Sequence, residues 1–206
     1  MGGKLGTIFV RAGHEVVFSY SHDQSKLERL ARDSGGVARA GSPADAARDA
    51  EVVLMAVHWS RISDVLAKVG DLTGKIVLSC SLPMNADDTE LAIGHSSSGA
   101  EELAKKVPGA SVVSAFNTVP SEVLFSVFEQ APSVRPSLTF CGDDRAAKAT
   151  VAQLIREVGF EPIDVGPLRL ARYMEPFGLL VARIAYEGTG GPGIAYRFDE
   201  FEERNA

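Results

Sequence analysis

The chain is short of cysteine, of long apolar runs and of positive charge. Its two cysteines, Cys80 and Cys141, cannot build a disulfide framework. Its unbroken apolar runs, such as Val52–Val57, fall far short of the ~20 residues that span a bilayer. Met1-Gly2-Gly3-Lys4 leads into no apolar run ending in small residues, so no secretion signal is expected and a cytoplasmic location is. Lys and Arg total 21 against 27 Asp and Glu, a net charge of −6. That balance, with no basic block, argues against nucleic acid or an anionic membrane as the main partner. His, Cys, Asp and Glu form no cluster with metal-ligand spacing, so no metal is expected. What remains is ordinary globular composition, 45% hydrophobic and 23% charged over 206 residues. The length suits one domain, or one domain with a small appendage.

Short β-branched runs alternate with helical patterns. Gly2 to Ala12 reads as a helix with Leu5, Ile8 and Phe9 on one face, ended by Gly13. Strands are expected at 15–20, 37–40, 51–57, 75–79, 111–116, 136–141 and 161–165. Helices are expected at 24–33, from Ser42-Pro43, and at 62–69, 99–107, 120–128, 144–158 and 168–186. This alternation predicts an α/β fold, a doubly wound parallel sheet covered by helices. The alternation stops at Gly166-Pro167. A boundary is placed there, between a Rossmann-like domain (1–165) and a helical C-terminal extension (166–206).

A dinucleotide-binding domain usually opens with a central strand and a glycine turn. This sequence opens at the head of a helix, so the first central strand is missing from the pattern. Two readings follow: a true start upstream of Met1, which is preferred, or a truncated chain. The strands at 15–20 and 51–57 would then flank a gap of about twice the ~4.8 Å strand spacing. Closing it would take collapse, a swap with another chain, or disorder.

Four segments share one resemblance: Gly2-Gly3-Lys4-Leu5-Gly6, Arg11-Ala12-Gly13-His14-Glu15-Val16-Val17, Ala115-Phe116-Asn117-Thr118-Val119-Pro120, and Gly166-Pro167-Leu168-Arg169 through Ala171-Arg172-Tyr173-Met174-Glu175-Pro176. Together they resemble the NADP oxidoreductases that use the deazaflavin coenzyme, over essentially the whole chain. The resemblance implies NADP as cofactor and a deazaflavin as co-substrate. It implies that Gly2 is the third glycine of the cofactor-binding turn, needed for close helix–sheet packing.

The candidate site residues follow the strand ends, where doubly wound sheets hold ligands. Ser21 and His22 can donate hydrogen bonds to a 2′-phosphate, with Lys26 or Arg29 adding charge, which favours NADP over NAD. Asp23 cuts the other way, although it also suits a helix cap. Val57, His58 and Trp59 either line the adenosine side of the crevice or simply start a helix. Cys80 lacks a basic neighbour in sequence and reads as a small buried residue, not a nucleophile. Asn117 and Thr118 suit the nicotinamide carboxamide or the second substrate; the alternative is an Asx turn. Arg169 and Arg172 lie three apart on one helix and suit an anionic acceptor, or else salt bridges with nearby acids. Phe177, Leu180, Val181 and Ile184 suggest packing or a homodimer contact. No catalytic acid or base is assigned, since the cofactors hold the chemistry of hydride transfer. The expected activity is hydride transfer between NADP(H) and a deazaflavin. The alternatives are an NADPH-dependent reductase of a small imine or carbonyl, and a non-catalytic NADP-binding protein.

Overall fold

Leu5 and Ile8 are fully buried on the first helix, α1 (Gly2–Arg11). Their side chains and that of Phe9 join the apolar core, as their shared face requires. Gly13, at φ 101°, turns the chain out of the helix, a conformation glycine adopts without strain. The computed structural model describes residues 1–131 and 133–201.

The described elements continue as β1 (Val16–Phe18), α2 (Gln24–Ser34), β2 (Ala38–Ala40), α3 (Pro43–Arg48), β3 (Val52–Met55), α4 (Ile62–Val69) and β4 (Ile76–Ser79). Then come α5 (Gly99–Lys106), β5 (Ser111–Ala115), α6 (Val123–Gln130), β6 (Ser137–Gly142), α7 (Arg145–Val158), β7 (Glu161–Asp164) and α8 (Ala171–Glu187). Short 3-10 turns at Trp59–Arg61 and Leu168–Leu170 lead into α4 and α8. Helix starts carry the chemistry expected of them. Ser42 and Asp45 form a reciprocal cap on α3, and Asp23, Ser98 and Asp144 cap α2, α5 and α7.

Strands β3-β4-β5-β6-β7 form one sheet in that order. Successive residues on a strand face opposite sides, and the cores divide accordingly. Leu78, Val113 and Phe140 point into one apolar cluster with α1, α6 and α7. Their neighbours Val77, Val112 and Cys141 point into the other, with α4, α5 and the head of α8. One expectation needs correcting: the sheet is not wholly parallel, because β6 runs antiparallel to β5, with Ser114 opposite Cys141. The other pairings are parallel.

Among the described residues, strands β1 and β2 pair only with each other, Val17 opposite Arg39. Between β1 and β3 lies a cavity of about 970 Å³, bordered by Val16–Phe18 on one side and Val52–Met55 on the other, with α1 beneath. The expected gap is therefore present, and β1 and β3 have not collapsed onto each other to pair. Gly6 lets α1 seat against β1, because a Cβ there would strike the Phe18 ring.

Among the described residues beyond α8 there is no regular structure, yet the segment is anchored. Tyr196 accepts the N–H of Thr139 at 3.0 Å through its phenol oxygen, and its carbonyl accepts the N–H of Ser137 at 2.9 Å.

Candidate functional site

A second cavity, of about 460 Å³, opens at the carboxyl ends of β3, β4 and β5. It meets the gap between β1 and β3 at Met1, Ala56 and Val57, which border both. His58, Ser81, Leu82 and Asn117 line it from the strand ends, and Gly178, Val181, Ala182 and Tyr186 of α8 wall it from above.

Asn117 is its polar anchor. Phe116 leaves β5 at φ 63°, a left-handed conformation that costs a bulky residue about 1–3 kcal/mol. That turn carries the chain from β5 to Asn117. The side chain is buried, its Nδ2 donates to Ser114 Oγ at 3.1 Å, and its Oδ1 has no partner among the described residues. A buried acceptor left unpaired costs about 1–3 kcal/mol. Here that acceptor belongs to a residue lining a cavity.

Of the residues expected at the crevice, Val57, His58 and Asn117 line this cavity. Gly2 and Ser21 border the gap instead. A Cβ on Gly2 would lie 3.2 Å from the Cβ of Ala56, so α1 approaches the end of β3 closely, as close helix–sheet packing requires. His22 is exposed beside the head of α2. Asp23 takes the capping role: its carboxylate accepts from Lys26 N at 3.3 Å and Ser25 Oγ at 2.6 Å. Those bonds, Ser25 first, hold its carboxyl below the ordinary range.

Four more of the candidate residues do not line this cavity. Trp59 packs against the apolar cluster of α4 and α5 and does not line the cavity. Thr118 is fully buried, its hydroxyl 2.8 Å from the Tyr196 phenol, so it anchors the tail. Arg172 gives its guanidinium to Glu101 in two bonds of 2.9 and 2.7 Å. Arg169 is exposed in the turn before α8. Neither arginine borders the cavity.

Further contacts fix the rim of the site. Ser81 Oγ donates to the Val57 carbonyl at 2.6 Å and ties the ends of β4 and β3 together. His58 accepts the N–H of Ser60 on Nδ1 at 3.2 Å, so its proton sits on Nε2, which donates to Asp88 Oδ1 at 2.7 Å. Tyr20 leaves β1 at φ 60°, and its hydroxyl donates to Asp64 Oδ2 at 2.7 Å. Desolvation pushes the Cys80 thiol up to about 12, which leaves it a protonated, unreactive wall residue. Glu175, one of the acids near the two arginines in sequence, is buried against α5 and bonded to its backbone.

A mostly parallel sheet with helices and a cavity at its strand ends is a Rossmann-like class of fold. Residues 1–83 match the family described as "NADP oxidoreductase coenzyme F420-dependent". An F420-dependent NADP-reductase assignment from Arthrobacter sp. FB24 superposes with a TM-score of 0.84 at 22% identity, covering 97% of this chain and 95% of that one. A hypothetical protein, SMa0349, from Sinorhizobium meliloti gives 0.74 at 27% identity, covering 96% and 91%. Rat metalloreductase STEAP3 is 30% identical over 176 residues, 85% of this chain but 34% of that protein. The chain thus spans about a third of that relative. Among the described residues, no helix is long and apolar enough to cross a membrane.

Proposed function

We propose that the chain works as an NADP-dependent oxidoreductase, moving hydride between NADP(H) and a deazaflavin coenzyme. The observation that carries this is the buried, unpartnered Oδ1 of Asn117, a residue that lines the cavity at the strand ends. An acceptor there fits the carboxamide N–H of a nicotinamide, and pairing would remove the cost of leaving it orphaned. NADP(H), when bound, supplies or takes the hydride, so the protein needs no acid–base residue at the reacting carbon.

The chain's own residues bind, orient and exclude water. Asn117, oriented by Ser114, fixes the nicotinamide end. Val57 and His58 flank the path to it, and Gly2 at the head of α1 gives the phosphates close access to a helix N-terminus. Ser21 and His22 sit at the exit from β1, the place for a 2′-phosphate. The α8 wall of Gly178, Val181 and Ala182 keeps the cavity apolar. Arg169 is the cation this reading assigns to the acceptor's anionic tail.

The family description supports the deazaflavin as acceptor. The likeness to STEAP3, named a metalloreductase, supports a second reading in which the hydride goes to another acceptor. Anaerobic NADPH oxidation with a deazaflavin, a flavin and a ferric chelate in parallel separates them. Turnover fastest with the deazaflavin supports the first reading, and turnover only with the others replaces it. Tyr173, Leu180 and Ile184, each more than half exposed along one side of α8, support a homodimer. Sedimentation of the purified chain checks that.

A further inference from the structure

Glu175 lies inside α8 with 1% of its surface exposed. A buried carboxyl needs partners, and it finds them on another helix. Its Oε2 accepts the N–H of Gly99 at 2.8 Å, and its Oε1 accepts the N–H of Ala100 at 3.0 Å. These are the first two residues of α5, whose leading N–H groups have no partner within the helix. Ser98 takes the next one, from Glu101, at 3.1 Å. One side chain of α8 thus closes half of another helix's N-terminus. Beside it, Arg172 and Glu101 make a second tie between the same two helices. Three residues further along, α8 becomes the wall of the Asn117 cavity.

We propose that Glu175 is a protonation-dependent latch for that wall. As an acid it is buried without a charge and α8 stays packed on α5. As a carboxylate it accepts from both N–H groups, but its charge is held out of water, so ionisation favours a loosened wall in which water reaches it. For its effect on ligand binding, the latch rests on the reading of the Asn117 cavity as a nucleotide site; the latch itself does not.

The surroundings place the titration where modest pH changes matter. Burial pushes Glu175 up to about 7, the N–H groups of Gly99 and Ala100 pull it back, and the Glu101 carboxylate pushes it further up. Arg172, on the same helix, has its charge committed to Glu101. From β6 the facing group is the Cys141 thiol, which burial pushes up to about 12 and keeps neutral.

The test follows the Gly99 and Ala100 amide resonances of the intact chain by NMR from about pH 5.5 to about pH 8.5, a range that brackets the titration. Both should shift with one inflection near neutrality. In Glu175→Gln that inflection should be absent while the rest of the spectrum stays folded. Flat amide shifts in the wild type overturn the latch without any variant. An inflection that survives in Glu175→Gln also overturns it. NADPH affinity, measured alongside, should fall severalfold as pH rises in the wild type relative to Glu175→Gln; equal pH profiles would remove the link to the wall. If the amides titrate but NADPH never binds, the latch stands and the nucleotide reading fails. If NADPH binds through Asn117 while the amides stay flat, the reverse holds.

Discussion

A Cβ built on Gly178 would lie 2.5 Å from the carbonyl oxygen of Asn117. The wall of the cavity and its polar anchor are therefore in direct backbone contact, and only glycine permits it. Gly178→Ala must push α8 outward or shift the Asn117 turn. Overpacking of this kind costs about 1–3 kcal/mol. We expect a lower denaturation midpoint together with weaker NADPH binding, measured by urea unfolding and by titration. Unchanged values for both would show that the wall is not set by this contact.

Selectivity for NADP should depend on the exit from β1. Replacing Ser21 and His22 together with alanine should weaken NADPH on the order of tenfold, the worth of one hydrogen bond to a charged group. NADH should be affected little. Isothermal titration with both nucleotides checks this; equal losses would remove the two residues from phosphate binding.

The buried Glu175 also sets a sign for global stability. Its folded value, about 7, stands above the ordinary 4.5. The folded state therefore binds more protons between those values, and stability falls as pH rises through them. The contribution is full below about 4.5, is lost by about 7, and amounts to about 3 kcal/mol. Urea unfolding across this range should show wild-type stability declining relative to Glu175→Gln. A rising difference would contradict the assignment.

The gap between β1 and β3 has a strand edge on each side and about 970 Å³ between them. Extending the chain ahead of Met1 with an apolar strand and a glycine turn should join the two sheets. Each new pairing buries apolar surface at about 25 cal/mol per Å². The melting temperature should rise by several degrees and NADPH should bind more tightly. No change in either would mean that the added strand does not enter the gap.

Much of the fold was legible because its elements are marked locally. Helix α4 spans Ile62–Val69 as its apolar spacing indicates, and the Ser42-Pro43 start of α3 was written in its cap. The reversed direction of β6 was not legible. Ser137–Gly142 is buried along its whole length, and such a run reads alike in either direction. Asn117 stood out as a polar residue between a strand and a proline-led helix. The partners of Thr118 and Arg172 could not be named from sequence, because Tyr196 and Glu101 lie 78 and 71 residues away. No local pattern announces such a contact. Glu175 was hidden for the same reason, its partners being backbone N–H groups 75 and 76 residues distant.

The most direct test is a titration of the purified chain with NADPH, followed by nicotinamide fluorescence, for the wild type and Asn117→Ala. The account predicts saturable binding that weakens about tenfold when the acceptor is removed, since one buried hydrogen bond is worth about 1–2 kcal/mol. An affinity that Asn117→Ala leaves unchanged, or no binding by the wild type, would contradict it.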